Sequence, residues 1–378
     1  MRKVMIACGG TGGHLAPGIA LAQGLQKRGV DAVLLISEKQ VDARLVQNYS
    51  QFEFIPVPSA PLVLSPGGLF RFGSKQTKGI LQCRQLIREH RPDLLMAFGG
   101  FTSMGAVISA RREAIPVVLH EANRKVGRAI RFLKCFASRI YLPPGIRLPG
   151  ASRKQLRNVG FPVRDEIRRL PREAARKKLG LNSGGKWIMI LGGSQGAAAL
   201  NDWVKQHFES LAAENINLYC LTGLGKGGQG SISHKTGTQE NQAVFAPFSD
   251  DMGTVISAAD LVISRAGAGS IAELIRCRKP SILIPYPYAA DNHQAENAHY
   301  LERQGGCLVV NQNNLTSLRD EVRDLIFNDW LLNTFETNLT RLDEEDSTAV
   351  ILDDLERLVN VAQSKGKDQG ASAERAGV

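Results

Sequence analysis

The sequence predicts an α/β chain of two Rossmann-like domains, each a doubly wound parallel sheet. Three observations predict it. The chain has 378 residues, too many for one ordinary core and suited to two. Short apolar runs alternate with helical patterns, which implies parallel strands with helices on both faces. A strand, a glycine-rich loop and a helix follow one another twice, at "ACGGTGGH" (7–14) and at "LGGSQGAA" (191–198).

In order, "KVMIAC" (3–8) reads as a buried strand and "LAPGIALAQGLQKRG" as a helix stopping at Gly29. "DAVLLIS", "FEFIPV", "DLLMAFGG" and "IPVVLHEAN" read as further strands, and "KQVDARLVQNY" as a helix. The pattern restarts at Lys186 with "KWIMILGGSQGAAALNDWVKQHF", then "INLYCLTG", "AVFAPF", "DLVISRAGAGS" and "PSILIPY". The joint is expected near residues 158–172. The resulting domains are 1–163 and 164–364, with a disordered tail at 365–378. The Gly/Ser-rich stretch 224–241 reads as a loop.

Composition narrows the classes. Hydrophobic residues make up 43% and charged residues 22%, with a formal net charge of +11. That charge suits an anionic surface or ligand, and no basic run is interleaved with aromatics, so nucleic acid is not an expected partner. The six cysteines are scattered without a C-x-x-C pair, as reduced core thiols are. No apolar run reaches the length of a membrane span, and the N-terminal pattern is not that of a signal peptide.

In a parallel sheet, ligands bind beyond the carboxyl ends of the strands. Glycines there let backbone approach a ligand, and the following helix offers free N–H groups suited to phosphate. One glycine pair alone would be a tight turn; two matched loops point to a ligand. Neither loop is G-x-G-x-x-G, and neither precedes Lys-Ser or Lys-Thr. Glu38 follows the second strand, where a ribose-binding acid sits in dinucleotide folds, so a nicotinamide oxidoreductase stays open on these grounds.

Eight motifs occur in order: "GGTGGH", "GGF" (99–101), "HEAN" (120–123), "VGFPVR" (159–164), "GGSQGA" (192–197), "FSDDM" (248–252), "SRAGAGSIAE" (264–273) and "DNHQAENA" (291–298). With them the chain resembles the MurG family of peptidoglycan glycosyltransferases over nearly its whole length. The resemblance implies a GT-B architecture, two Rossmann-like domains facing across a cleft. It implies inverting transfer of N-acetylglucosamine from UDP-GlcNAc to the 4-hydroxyl of MurNAc in undecaprenyl-diphospho-MurNAc-pentapeptide (lipid I), forming lipid II. It implies neither a cofactor nor a protein-bound metal, and a place on the cytoplasmic face of the bacterial inner membrane. Other readings are a different UDP-sugar transferase, a UDP-GlcNAc epimerase, or a nucleotide-binding protein without catalysis.

For the donor, the resemblance implies Ser194, Gln195 and Gly196 at the UDP diphosphate, and Glu273 at the ribose hydroxyls. It implies Arg164, Phe248 and Ser249 on the uracil side, and Ala268, Gly269 and Ser270 as close backbone. His293 and Gln294 would meet the sugar. Asp250 and Asp251 read as a helix N-terminal signal rather than metal ligands. For the acceptor, Thr11, Gly12 and Gly13 would cradle the diphosphate and Asn123 would position a sugar. His14 and Glu121 are the two candidates for the base. A neutral His14 at a helix N-terminus suits that role.

The sequence departs from the family pattern at Phe101, Ala122, Phe161 and His293. A lipid-linked acceptor also demands docking on an anionic membrane surface. Leu69, Phe70 and Phe72 beside Arg71 and Lys75 are the expected contact, with both phenylalanines in a loop ahead of a helix.

Overall fold

The computed structural model describes residues 1–9, 12–38, 46–61, 63–182, 184–193, 196–237 and 239–375. The chain divides into two compact units. The first comprises Met1–Ala122, Val126–Arg164 and Asp346–Val378; the second comprises Asn123–Lys125 and Asp165–Glu345.

The first unit is built on seven parallel strands: β1 (Lys3–Ala7), β2 (Asp31–Ile36), β3 (Glu53–Pro56), β4 (Leu94–Ala97), β5 (Val117–His120), β6 (Arg139–Leu142) and β7 (Leu156–Asn158). Their order is β3-β2-β1-β4-β5-β6-β7. β4 and β5, "LLMA" and "VVLH", are buried at every residue, as expected of strands covered on both faces. The chain order reverses between β1 and β4, which makes their carboxyl ends the natural ligand position.

The first helix, Gly12–Lys27, starts three residues earlier than the sequence pattern suggests, because two glycines join its first turn. Leu15, Ile19, Ala22 and Leu25 turn into the core. Its neighbour there is the last helix, Ser347–Arg375, whose Ile351, Leu352, Leu355 and Val359 complete the same core. A Cβ at Gly24 would lie 2.6 Å from Leu352. Tyr141 donates to Asp354 at 2.8 Å, and Arg28 meets Glu356 at 3.0 Å. The division by sequence placed 346–364 with the second domain, and these contacts place it in the first unit. The helix continues to Arg375 where an unstructured tail was expected; residues 376–378 lie outside the described residues.

The second unit repeats the plan with β8 (Lys186–Leu191), β9 (Ile216–Leu221), β10 (Gly230–Thr236), β11 (Gln239–Ala246), β12 (Leu261–Ser264), β13 (Ser281–Leu283) and β14 (Cys307–Val309). The order is β10-β11-β9-β8-β12-β13-β14, with the reversal between β8 and β12. β10 pairs antiparallel with β11 from Gly230↔Phe245 to Thr236↔Gln239, so most of the stretch expected to be a loop is a hairpin. Its polar residues sit on an edge strand, where β propensity depends on pairing more than on hydrophobicity.

A buried carboxylate ties the start of this unit together. Asp260 accepts from Arg176 Nη2 at 2.5 Å and from the Trp187 amide at 2.6 Å, and Arg172 pairs with it as well. All three tryptophans, Trp187, Trp203 and Trp330, lie in the second unit, so their fluorescence reports its unfolding. Replacing Asp260 with Ala leaves the buried Arg176 with the Ala258 carbonyl and the solvent-exposed Glu173, but without its buried counter-charge. Stability of the second unit should fall by about 3–5 kcal/mol, read as a lower urea midpoint of tryptophan fluorescence.

Candidate functional site

The functional residues of each unit gather at the carboxyl ends of its strands. In the first unit the loop after β1 lies against the end of β2: a Cβ on Gly9 would stand 2.3 Å from the Ser37 amide nitrogen. Such contacts admit only glycine. Gly12 and Gly13 open the first helix, and half-buried His14 stands in its first turn. Pro17 has no N–H to offer the Gly13 carbonyl. Thr11 lies outside the described residues.

The loop after β4 approaches the same histidine. Gly99 and Gly100 both take positive φ, 90° and 74°, and start the helix Gly100–Arg112 without a side-chain cap. A Cβ on Gly100 would lie 3.3 Å from His14 Cε1 and Nδ1. Next along the sheet edge, β5 ends in His120, and Glu121 follows it. The Glu121 carboxylate is buried, and its Oε2 accepts from the Gly127 amide at 2.6 Å. Glu121 therefore clamps the loop that follows it. Arg164 is also buried, and its Nη1 donates to Tyr49 Oη at 2.9 Å within the first unit.

Asn123 groups with the second unit, where its Oδ1 accepts from Asn297 Nδ2 at 3.1 Å. Asn297 Oδ1 accepts from the Arg124 amide at 2.9 Å, and the Arg124 guanidinium lies 3.7 Å from the centre of the Tyr300 ring. Asn297 was missed as a site residue, although it is next to last in the "DNHQAENA" motif.

In the second unit the loop after β8 repeats the glycine constraint. Gly196 has φ 67°, and a Cβ there would lie 2.2 Å from the Thr222 carbonyl oxygen at the end of β9. The helix Ala198–Ala212 begins without a side-chain cap. Ser194 and Gln195 lie outside the described residues. After β12, Gly267 leads into the helix Ala268–Arg276, again with no side-chain cap. Its first turn holds Ala268, Gly269 and Ser270, and Glu273 lies one turn further, half-buried. The uncapped N–H groups of both helices suit an anion.

Phe248 and Ser249 follow β11, and Ser249 Oγ accepts from the Asp251 amide at 3.2 Å. Asp251 caps the helix Met252–Ala258, accepting from Thr254 N at 3.0 Å, with Lys178 Nζ at 2.5 Å. Its carboxyl is held below the ordinary range: burial works the other way, but the Lys178 and Thr254 hydrogen bonds outweigh it. Among the described residues no group of three or more His, Cys, Asp and Glu is placed to hold a metal ion.

His293 and Gln294 start the helix His293–Arg303. His293 Nδ1 lies 2.6 Å from the Ala290 carbonyl, so that nitrogen carries the proton. Gln294 Oε1 accepts from the Tyr286 and Ala266 amides at 2.9 and 3.3 Å, which leaves its NH₂ as the group it can offer. Arg265, also missed in the sequence, is buried behind this loop. It donates to Ile284 O at 3.1 Å and to Gln312 Oε1 at 2.5 Å.

The expected membrane contact is rearranged. The helix begins at Pro66, capped by Ser65 accepting from Gly68 N at 3.1 Å, and runs to His90. Phe70 and Phe72 therefore lie in the helix, not ahead of it; the Pro at its first position and the Ser cap are the signal that was passed over. Its buried face is Gln76, Gly79, Cys83 and Ile87. Phe72 is half-buried, edge-on to Phe101 with ring centres 6.2 Å apart. Leu64 and Phe70 are 87% and 80% exposed, and Leu69 and Leu81 are exposed too. Arg71 is exposed, and Lys75 pairs with Glu38 at 2.8 Å.

Two Rossmann-like sheets, parallel but for the β10 edge strand of the second, each with a glycine loop beyond its first strand, have the GT-B fold of glycosyltransferases. Residues 4–142 match the Glycosyltransferase family 28 N-terminal domain and residues 187–345 the C-terminal domain of that family. The chain belongs to glycosyltransferase family 28. It is 50% identical over 374 residues, 99% of each chain, to the UDP-N-acetylglucosamine–N-acetylmuramyl-(pentapeptide) pyrophosphoryl-undecaprenol N-acetylglucosamine transferase of Opitutus terrae. It is 34% identical over 335 residues to the protein of the same name from Halothermothrix orenii, 83% of this chain and 86% of that one. The crystal structure of Acinetobacter baumannii MurG shares the fold at TM-score 0.70 and 23% identity, covering 94% of this chain and all of the other.

Removing the Glu121 carboxylate with Glu121→Ala should free the Gly127 amide. A charge-assisted bond of about 1.5–3 kcal/mol corresponds to exchange faster by about tenfold or more, measured by amide hydrogen exchange at Gly127.

Proposed function

We infer that this chain transfers N-acetylglucosamine from UDP-GlcNAc, with inversion, to the 4-hydroxyl of MurNAc in undecaprenyl-diphospho-MurNAc-pentapeptide, forming lipid II for peptidoglycan. The observation that carries this is the 50% identity over 99% of both chains to a transferase of that name. The glycine loops at both sheet reversals are consistent with two diphosphate-bearing substrates.

In this reading the second unit takes the donor. N–H groups from Gly196 and the helix at Ala198, with Ser194 and Gln195, hold the diphosphate, whose charge grows as it leaves. Glu273 accepts from the ribose hydroxyls, Phe248 and Ser249 line the uracil, and Ala268, Gly269 and Ser270 bring backbone close. Gln294 donates to the sugar and His293 accepts from it. Arg164, bound to Tyr49, acts by holding its segment rather than by touching uracil. Thr11, Gly12 and Gly13 take the acceptor's diphosphate, and Asn123 positions a sugar.

His14 is the base. It removes the proton of the acceptor hydroxyl as the oxygen bonds to the sugar anomeric carbon, and the bond to the UDP oxygen breaks with its electron pair leaving on the diphosphate. The clamp role of Glu121, its Oε2 accepting from the Gly127 amide, favours His14 over it. Membrane docking follows from the acceptor's lipid. Exposed Leu64, Leu69, Phe70 and Leu81 beside Arg71 suit the headgroup boundary of an anionic cytoplasmic leaflet. Among the described residues no helix is long and apolar enough to cross a membrane.

The test is an assay with UDP-GlcNAc and a lipid-linked muramyl acceptor, run beside free-sugar acceptors. Product on the lipid acceptor alone is the expected result; activity only on free sugars would overturn the substrate assignment. His14→Ala should lower turnover about 100- to 10,000-fold with donor affinity retained. A rate within a few-fold of the parent would return the role to Glu121.

Docking has its own readout. The chain should sediment with anionic vesicles more than with neutral ones. Changing Leu64 and Phe70 to Ser should reduce that binding while UDP affinity, measured by calorimetry, stays the same. Equal sedimentation of both proteins would remove this surface from the account.

A further inference from the structure

One buried titratable group beside the base has no role in the mechanism so far. His120, the last residue of β5, is 1% exposed. Neither ring nitrogen reaches a full hydrogen bond to a described residue, although the Gly160 backbone is close enough to favour the protonated ring. The ring is held between Phe98, with centres 5.2 Å apart, and Phe161, at 6.3 Å. Phe98 stands two residues before Gly100, and Gly100 lies against the His14 ring. His14, Gly100, Phe98 and His120 thus form one connected group within the first unit.

A buried polar ring without a full hydrogen bond destabilises a fold, and its presence among phenylalanines calls for an explanation. We propose that His120 is a positioning residue for His14, its lone pair receiving the N–H of the imidazolium that His14 becomes when it takes the acceptor's proton. The inference rests on the reading of His14 as the base. The proton of the acceptor hydroxyl goes to one His14 nitrogen. The other His14 nitrogen, already protonated, turns its N–H to His120, and no proton passes to His120 itself.

Three observations support the role. Burial pushes the His120 pKa down to about 4, the Gly160 backbone opposes this, and the nearby His14 adds to it. At neutral pH His120 is therefore uncharged, with one N–H and one lone pair. The titratable groups around it are His14, from the first helix, Glu121, whose carboxylate is engaged by the Gly127 amide, and Tyr141, opposite it on β6, whose hydroxyl donates to Asp354 and stays protonated; Phe98 and Phe161 carry no charge. The two aromatic rings fix the imidazole plane, so little ordering remains when the bond forms. An acceptor unpaired at rest and paired only with the imidazolium stabilises the reacting state over the ground state, which raises turnover rather than affinity.

The experiment combines His120→Phe, His120→Asn and His14→Ala. Phe keeps an aromatic ring in an aromatic site and removes the lone pair. His120→Phe should lower kcat about 10- to 100-fold and leave the KM for UDP-GlcNAc unchanged. With its imidazolium less stabilised, His14 should lose its proton at lower pH, so the acid limb of the kcat profile should shift to lower pH. The variant should melt at the parent's temperature or above, because an unpaired polar group is gone. His120→Asn, which restores an acceptor, should recover part of kcat. In the His14→Ala background, His120→Phe should cost nothing further, since residues acting as a unit are not additive.

An unchanged kcat, an equal loss in both backgrounds, or a lowered melting temperature with His120→Phe would each overturn the proposal. An unmodified chain inactive on the lipid-linked acceptor would instead overturn the functional reading, and this inference with it.

Discussion

The structure depends on the absence of a Cβ where the loop after the first strand of each sheet meets the end of the neighbouring strand. Gly9 after β1 presses on Ser37 beyond β2, and Gly196 after β8 presses on Thr222 beyond β9. The clearances of 2.3 and 2.2 Å for an added Cβ leave no room for any side chain. Backbone this close to the sheet edge turns the next helix's first N–H groups toward the same edge. Helix starts placed in this way suit an anion, and the arrangement occurs twice because the packing does.

Around that constraint the first unit arranges its chemistry in layers. The Gly99–Gly100 turn brings backbone against His14, and the Glu121 carboxylate holds its own loop through Gly127. His120 lies deeper, between Phe98 and Phe161, with neither ring nitrogen in a full hydrogen bond. In the second unit the same logic appears at Gln294, whose carbonyl is occupied by two backbone amides so that only its NH₂ is offered. Both units use backbone groups to fix the polarity of a side chain before a ligand arrives.

The local features were legible in the sequence. Apolar runs marked the buried strands, doubled glycines marked the loops, and the Asp250–Asp251 pair marked a helix start that Asp251 caps. What escaped depends on contacts between distant residues. Nothing local says that Leu352 and Leu355 fill the core beneath the first helix rather than the second unit. The hairpin at Gly230–Thr236 is stabilised by pairing with β11, which its Gly/Ser-rich composition conceals. Arg164 matches a nucleotide contact by motif, and its bond to Tyr49, 115 positions away, has no local signal. Phe72 looked like a membrane contact until the start of its helix turned it toward Phe101.

The central claim is that the two glycine loops divide the work, with the nucleotide held by the second unit. Hydrogen exchange with and without saturating UDP tests it most directly. The account predicts slower exchange in peptides spanning 191–198 and 264–274, and no change in the peptide spanning 7–14. Protection of 7–14 with the second unit unchanged would contradict it.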